Sequence, residues 1–204
     1  MAFIMRDCKN NKIRLLVGLL IWLFAVPAMA TEVTHAHTEL RGDNYVLFAQ
    51  LDYQLSEKAK EALENGVSLF WTLHVKVMRQ RDYLWARTEL DTSIRYRLQY
   101  HALLNMYRVV IVKPDSQEKN GDSYNFSTLS SALNLMARVE NLPLLEQSNI
   151  NPEKHYIVKI KASFEIEALP LPLQPIAYIN PQWYLSSDWT TWDLPPVSNI
   201  QGKP

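Results

Sequence analysis

The chain has 204 residues, with 21 Lys and Arg balanced by 21 Asp and Glu, and a single cysteine. That balance lacks the basic block with which proteins grip a nucleic-acid backbone. One thiol can build neither a disulfide framework nor a Cys-based zinc centre.

Residues 1–14 are basic, with Arg6, Lys9, Lys12 and Arg14 against Asp7 alone. Residues 15–26 (LLVGLLIWLFAV) are continuously apolar, and Pro27 then precedes Ala28-Met29-Ala30. A positive start, a short apolar run and a small-x-small site make a secretory signal peptide over 1–30, with cleavage expected after Ala30. The apolar run is about a dozen residues, short of the ~20 that span a bilayer stably. The expected address is periplasmic or otherwise exported. The alternative is an uncleaved leader that anchors the chain in the inner membrane, facing the periplasm.

Cleavage would remove Cys8 and the five charged residues of the leader. The mature chain then carries 17 basic and 20 acidic residues, a net charge of −3, in 174 residues. That length suits one domain with a core that needs no covalent staple. Scarce glycine and plentiful Tyr and Trp favour packed β-structure.

Residues 31–38 (TEVTHAHT) read as a flexible mature N-terminus. The first strand follows, with Tyr45, Leu47, Ala49, Leu51, Tyr53 and Leu55 on one face. Ser56 is placed to cap a short helix through Asn65, with Ala59, Ala62 and Leu63 inward and Gly66 as its stop. Over 67–77, Val67, Leu69, Trp71, Leu73, Val75 and Val77 line one face; Lys76 lies on the other, and Arg79 and Arg81 follow. Strands are expected at 83–90 and 94–100, the latter alternating Ile94, Tyr96, Leu98 and Tyr100 with Arg95, Arg97 and Gln99. Another is expected over 104–112.

Residues 114–124 read as a polar loop. Ser127 then caps a helix carrying Leu129, Ala132, Leu133 and Met136 at helical spacing. The clearest strand is 155–167, with Tyr156, Val158, Ile160, Ala162, Phe164 and Ile166 on one face and Lys159, Lys161, Glu165 and Glu167 on the other. The proline-rich 169–175 (LPLPLQP) is expected to run extended or along an edge, followed by a short strand near 176–185. Residues 39–186 form the β-rich domain and 187–204 a Trp/Pro-rich C-terminal tail. Six or seven strands, two short helices and hairpin-length links predict a mainly β, antiparallel, sandwich-like single domain.

Several blocks now stand in order: Glu61-Ala62-Leu63 with Gly66-Val67, Arg81-Asp82-Tyr83-Leu84-Trp85, and Arg95-Tyr96-Arg97-Leu98-Gln99-Tyr100. The segment 126–133, the run 169–175, Trp183 and Ser186-Ser187-Asp188-Trp189 complete the set. Together they resemble the bacterial DUF4390 family, small exported proteins of unknown function, over nearly the whole mature chain. The resemblance brings no catalytic residues. Members of that family often sit beside genes for a membrane sensor kinase and its response regulator, which implies an envelope role linked to signalling.

Signatures of catalysis are missing from the sequence. There is no G-x-S-x-G elbow, and a mature chain without cysteine has no thiol nucleophile. Phosphate-binding and dinucleotide loops and the zinc-protease helix are also absent. Glu165 and Glu167 share a strand face, where two solvated carboxylates are the simpler reading than a glycosidase pair. His35 and His37 share a strand face and can chelate, but no acidic or cysteine partner lies near them, and neither is the third mature residue. His74, His101 and His155 read as strand or surface histidines. No metal, cofactor or catalytic residue is expected.

Two groups remain as candidate interaction residues. Arg81, Arg95 and Arg97, with Arg79 and Arg87 nearby, form a cationic strip if they share a face. Such a strip suits a carboxylate, phosphate or anionic lipid head, or simply a solubilising face with ion pairs to Glu89 and Asp91. Trp183, Trp189 and Trp192 crowd a proline-flanked segment. They suit sugar stacking or a protein hot spot, or fold back as a plug over an open sheet edge.

The expected function is a non-enzymatic exported interaction module whose partner is an envelope protein, a membrane sensor kinase among the candidates. The alternative is a glycan- or lipid-binding envelope protein that uses the Trp-rich end. Nucleic acid is not expected as a partner, and membrane contact is expected only through an uncleaved leader.

Overall fold

The computed structural model describes residues 31–81, 85–113 and 121–195. The leader with its Ala30 site and Cys8, the positions 82–84, and residues 196–204 all lie outside that set. Nine strands and three helices follow one another along the described chain. They are β1 (Glu32–Arg41), β2 (Asn44–Asp52), α1 (Glu57–Glu64), β3 (Leu69–Arg79), β4 (Arg87–His101), β5 (Met106–Val112) and β6 (Asp122–Phe126). After these come α2 (Leu129–Ala137), β7 (Arg138–Glu146), β8 (Tyr156–Phe164), α3 (Gln174–Ile179) and β9 (Thr190–Asp193).

The strands form two sheets, β1-β2-β7 and β6-β5-β4-β3-β8-β9, and every pairing is antiparallel. The architecture is a mainly β sandwich. Period-two alternation builds it: β3 and β8 each bury every second residue along their length. Inward residues of both sheets merge into one core. Trp71 lies at its centre, fully buried, with its ring centroid 5.8 Å from Tyr53 and 5.0 Å from Phe164. Its indole N–H donates to the Leu185 carbonyl at 3.3 Å, which satisfies the ring's one polar atom. Each fully buried side chain of this size contributes about 1.5–3 kcal/mol.

Helix α1 follows its caps. The Ser56 hydroxyl accepts from the Ala59 N–H at 3.2 Å. At the other end the Gly66 N–H donates to Leu63 and the Val67 N–H to Ala62. That double bond pattern needs a left-handed residue, and Gly66 supplies it at φ +86°. For α2 the capping hydroxyl is Thr128, not Ser127: it accepts from the Ser131 N–H at 3.2 Å.

Several expectations are revised. Residues 32–38 are strand rather than a loose terminus. A two-residue turn with Gly42 at φ +60° folds β1 back on β2 from Arg41↔Asn44 to Glu32↔Asp52, so β2 supplies a ladder that β1's own polar sequence does not announce. The strands expected at 83–90 and 94–100 are one long β4 over the described part. Part of the expected 114–124 loop is β6, an exposed edge strand on β5. Residues 138–146 form β7 despite Pro143, because β7 is the edge of its sheet, where only one side of the strand must supply ladder donors.

The C-terminal region differs most. Residues 176–185 hold no strand. Pro175 opens α3, where its fixed φ suits a first turn, and Pro181 follows the end of the helix. Residues 190–193 are not tail but β9, paired with β8 from Ile160↔Thr190 to Ile157↔Asp193.

Candidate functional site

Strand alternation that buries one face of the six-stranded sheet must present the other. On β3 the outward residues are Phe70, Thr72, His74, Lys76 and Met78. Register sets Thr72 between Arg95 and Ser163, His74 between Ser93 and Lys161, and Lys76 between Asp91 and Lys159. The outer face therefore has an arginine end and a lysine end.

At the arginine end β8 stops at Phe164, and Glu165 turns outward as its N–H donates to the Phe70 carbonyl. Its carboxylate accepts from Arg95 Nε at 2.9 Å and Nη2 at 2.7 Å, and from the Thr72 hydroxyl. The Arg95 guanidinium also lies over the Phe70 ring, 4.6 Å from its centroid. Burial pushes the Glu165 pKa up, but the Arg95 and Thr72 hydrogen bonds and the Arg95 charge outweigh it and hold the carboxyl below its usual range. Arg95 is thus a bracing residue of the fold. Arg97 shares its face, half-buried between Phe70 and Val110. Arg81 does not join them. β3 runs seven residues past Thr72 before Arg81 leaves its end, roughly 23 Å at 3.3 Å per residue. Arg79 and Arg87 instead gather on Glu89, at 3.0 and 3.8 Å.

The lysine end is different. Lys76 reaches Asp91 at 2.9 Å, yet on its other side it directly faces Lys159, and Lys161 directly faces His74. The like charges of Lys76 and Lys159, opposed across the ladder, destabilise it. Among the described residues Lys159 and Lys161 have no ion pair. Trp189 stands over this end, with its ring 6.4 Å from His74 and 5.9 Å from Lys76 Nζ. Serine bonds hold the preceding segment on the β8 edge: the Ser187 N–H donates to the Ala162 carbonyl at 2.8 Å, and the Ala162 N–H donates back to the Ser187 hydroxyl at 2.9 Å. Burial lowers the His74 pKa; Lys76 and Lys161 push the same way, while Asp91 and Glu165 oppose them. His74 is therefore held neutral at neutral pH. The cluster offers ammonium donors beside an aromatic face, an arrangement that accepts carboxylate or phosphate groups.

The three tryptophans singled out in the sequence part company. Trp183 is buried on a single helical turn, stacked 6.1 Å from Phe164. Trp192 is half-buried in β9 opposite Val158. Trp189 is 42% exposed and reaches the outer face.

The other candidates stand apart. Glu165 and Glu167 diverge, because 166–168 is a helical turn rather than strand; Glu167 instead accepts from the Tyr178 hydroxyl at 2.8 Å. His35 and His37 border one shallow depression of about 280 Å3, where His37 stacks on Phe48 at 5.3 Å. Among the described residues no group of three or more His, Cys, Asp or Glu could hold a metal ion. His155 bonds Asp193 at 2.9 Å beside a cavity of about 420 Å3, and no Ser or Thr among the described residues borders it.

Lys159, Lys161 and His74 were not among the candidate interaction residues. Their outward parity is written in the sequence, but their convergence depends on β8 pairing with β3 some 80 residues earlier, which no local pattern reveals. No helix among the described residues is long and apolar enough to cross a membrane. No curated protein and no solved structure matches this chain. The family profile for the domain of unknown function DUF4390 matches residues 28–193, nearly all of the sandwich and its outer face, and the chain belongs to that family.

Proposed function

We propose that this protein is an exported, non-enzymatic interaction module that docks an acidic segment of an envelope protein on the lysine end of its outer sheet. The observation that carries this reading is that Lys159 and Lys161 lack an ion pair among the described residues and face Lys76 and His74, over which the exposed ring of Trp189 stands. A fold gains nothing from opposed cations on a sheet, whereas an acidic partner neutralises them and stacks on the indole. The genetic setting that the family resemblance implied makes the outer portion of a membrane sensor kinase a suitable partner class.

A photocrosslinking residue at Thr191, an exposed position opposite Lys159, tests this in intact cells. The expected result is a discrete protein adduct that disappears in a Lys159→Glu/Lys161→Glu double variant and weakens in Trp189→Ala. Because the contact is electrostatic, isolated envelopes should lose the adduct as salt is raised. An adduct unchanged by charge reversal would sink the reading. Adducts to sugar or lipid alone would instead favour the glycan- or lipid-binding alternative, which the half-open Trp189 ring supports.

A further inference from the structure

Residues 168–187 (ALPLPLQPIAYINPQWYLSS) contain no Asp, Glu, Lys, Arg or His. Two prolines confine α3 to six residues, of which only Ala177 is buried. The consequence is an exposed apolar face. Leu171 is 78% and Ile179 79% exposed, and Ile176, Tyr178 and Tyr184 are each about half exposed. Beside them a slot of about 420 Å3 opens between α1 and α3, floored by Ala62, Val67, Leu173 and Trp183. The α1 lysines near it are already neutralised, Lys58 by Glu61 and Lys60 by Glu57, both at 2.8 Å. An apolar face of this kind marks a contact surface.

The path of the chain says what covers it. Thr31 is 3% exposed, and its hydroxyl donates to the Leu185 carbonyl at 2.7 Å. Leu185 follows Tyr184, whose own hydroxyl donates to the Tyr178 carbonyl at 3.1 Å. The chain therefore enters the fold at the margin of this face. The last residue of the apolar 15–26 run is five positions upstream of Thr31, at most about 17 Å away along an extended chain. Where the leader stays uncleaved and that run inserts, the α3 face is held within reach of the same bilayer.

We propose that the apolar α3 face rests in the interfacial layer of a lipid bilayer, with Leu171, Ile176 and Ile179 dipping below the headgroups and Tyr184 and Tyr178, whose hydroxyl holds the Glu167 carboxylate, at their level. Tyrosine suits that depth because its ring is apolar and its hydroxyl wet. The contact is apolar rather than electrostatic, so it needs no anionic lipid. The proposal rests on the alternative in which the leader stays uncleaved, so that residues 15–26 remain joined to Thr31 and inserted in the membrane, and is independent of any partner on the lysine face.

The test uses the full chain with Cys8→Ser, a polarity-sensitive dye on Ile179→Cys, and reconstitution into phosphatidylcholine vesicles carrying nitroxide-labelled lipid. The reference dye sits on Leu103→Cys in the fully exposed β4–β5 turn. We expect the dye at 179 to be blue-shifted and quenched several-fold more than the dye at 103, with no change at high salt. Adding Ile176→Glu should reduce quenching of a dye on Leu171→Cys. A dye at 179 as aqueous as the one at 103, on a chain that still floats with the vesicles, overturns the proposal and leaves membrane targeting intact. A chain that does not float overturns both. Shielding of 179 that persists without lipid means that a second copy or the chain's own apolar run covers the face, and also overturns it.

Discussion

The lysine end of the outer sheet and the α3 face are both solvent-facing, and they are built from opposite materials. The first is the polar half of alternating strands, so its charges are a by-product of burying Val75, Val77, Val158 and Ile160 behind them. The second is a stretch whose prolines prevent a regular ladder and whose apolar side chains find only partial cover. Trp189 and Trp183, six residues apart, mark the difference: one is an exposed ring among cations, the other a buried floor beneath α3. Neighbours in sequence can thus serve opposite purposes once a serine-pinned segment carries one of them around the sheet edge.

Truncation separates the two rings most sharply. Trp183→Ala should lower unfolding stability by about 3–5 kcal/mol, because a cavity opens beside Phe164 and under α3. Trp189→Ala should cost less than about 1 kcal/mol. Urea denaturation of both variants checks this, and similar midpoints would erase the contrast.

A second contrast lies within the outer face. Glu165→Gln should cost about 2 kcal/mol, since it leaves half-buried Arg95 without its charged acceptor. Lys159→Ala and Lys161→Ala should stay within about 0.5 kcal/mol. Glu165 also has a pH signature. Its folded pKa lies below the ordinary 4.5, so its stabilisation is complete above that value and is lost as pH falls through the lowered folded pKa. Acid titration of the wild type should show this loss, and Glu165→Gln should lack that component.

The smallest expected effect belongs to His74. Its folded pKa is depressed from 6.5, so the unfolded chain takes up a proton more readily than the folded one. Stability should therefore fall as pH drops from about 6.5 toward the lowered folded value, and level off below it. His74→Asn should flatten that part of the profile in thermal melts. A slope that survives the substitution would place the proton uptake elsewhere.

Legibility in the sequence followed the strength of local signals. The faces of β2, β3 and β8 could be read because each alternates over eight or more residues, and α1 because serine and glycine bracket it. Strands β1, β6 and β9 could not. They are edge strands whose own residues bury little, and a backbone ladder supplied by a neighbour leaves no hydrophobic period. β7 was hidden by Pro143 and by Asn141 at φ +55°, both tolerable only because that edge is open. At the candidate site the outward parity of Lys76, Lys159 and Arg95 was readable. The Glu165 clamp on Arg95 was not, because it depends on β4 and β8 flanking β3, a pairing of strands some 70 residues apart.

By itself the sequence determined the basic and apolar composition of residues 1–30, the mainly β class, the buried faces and the absence of charge over 168–187, since composition and short-range period are local quantities. Tertiary structure decided the partnering of distant strands: which cations face each other, which arginine is neutralised, which tryptophan is exposed, and that the chain enters beside its most apolar face. Backbone hydrogen bonding is blind to side-chain identity, so a strand's neighbour follows from the packing of the whole core and not from the strand's own residues.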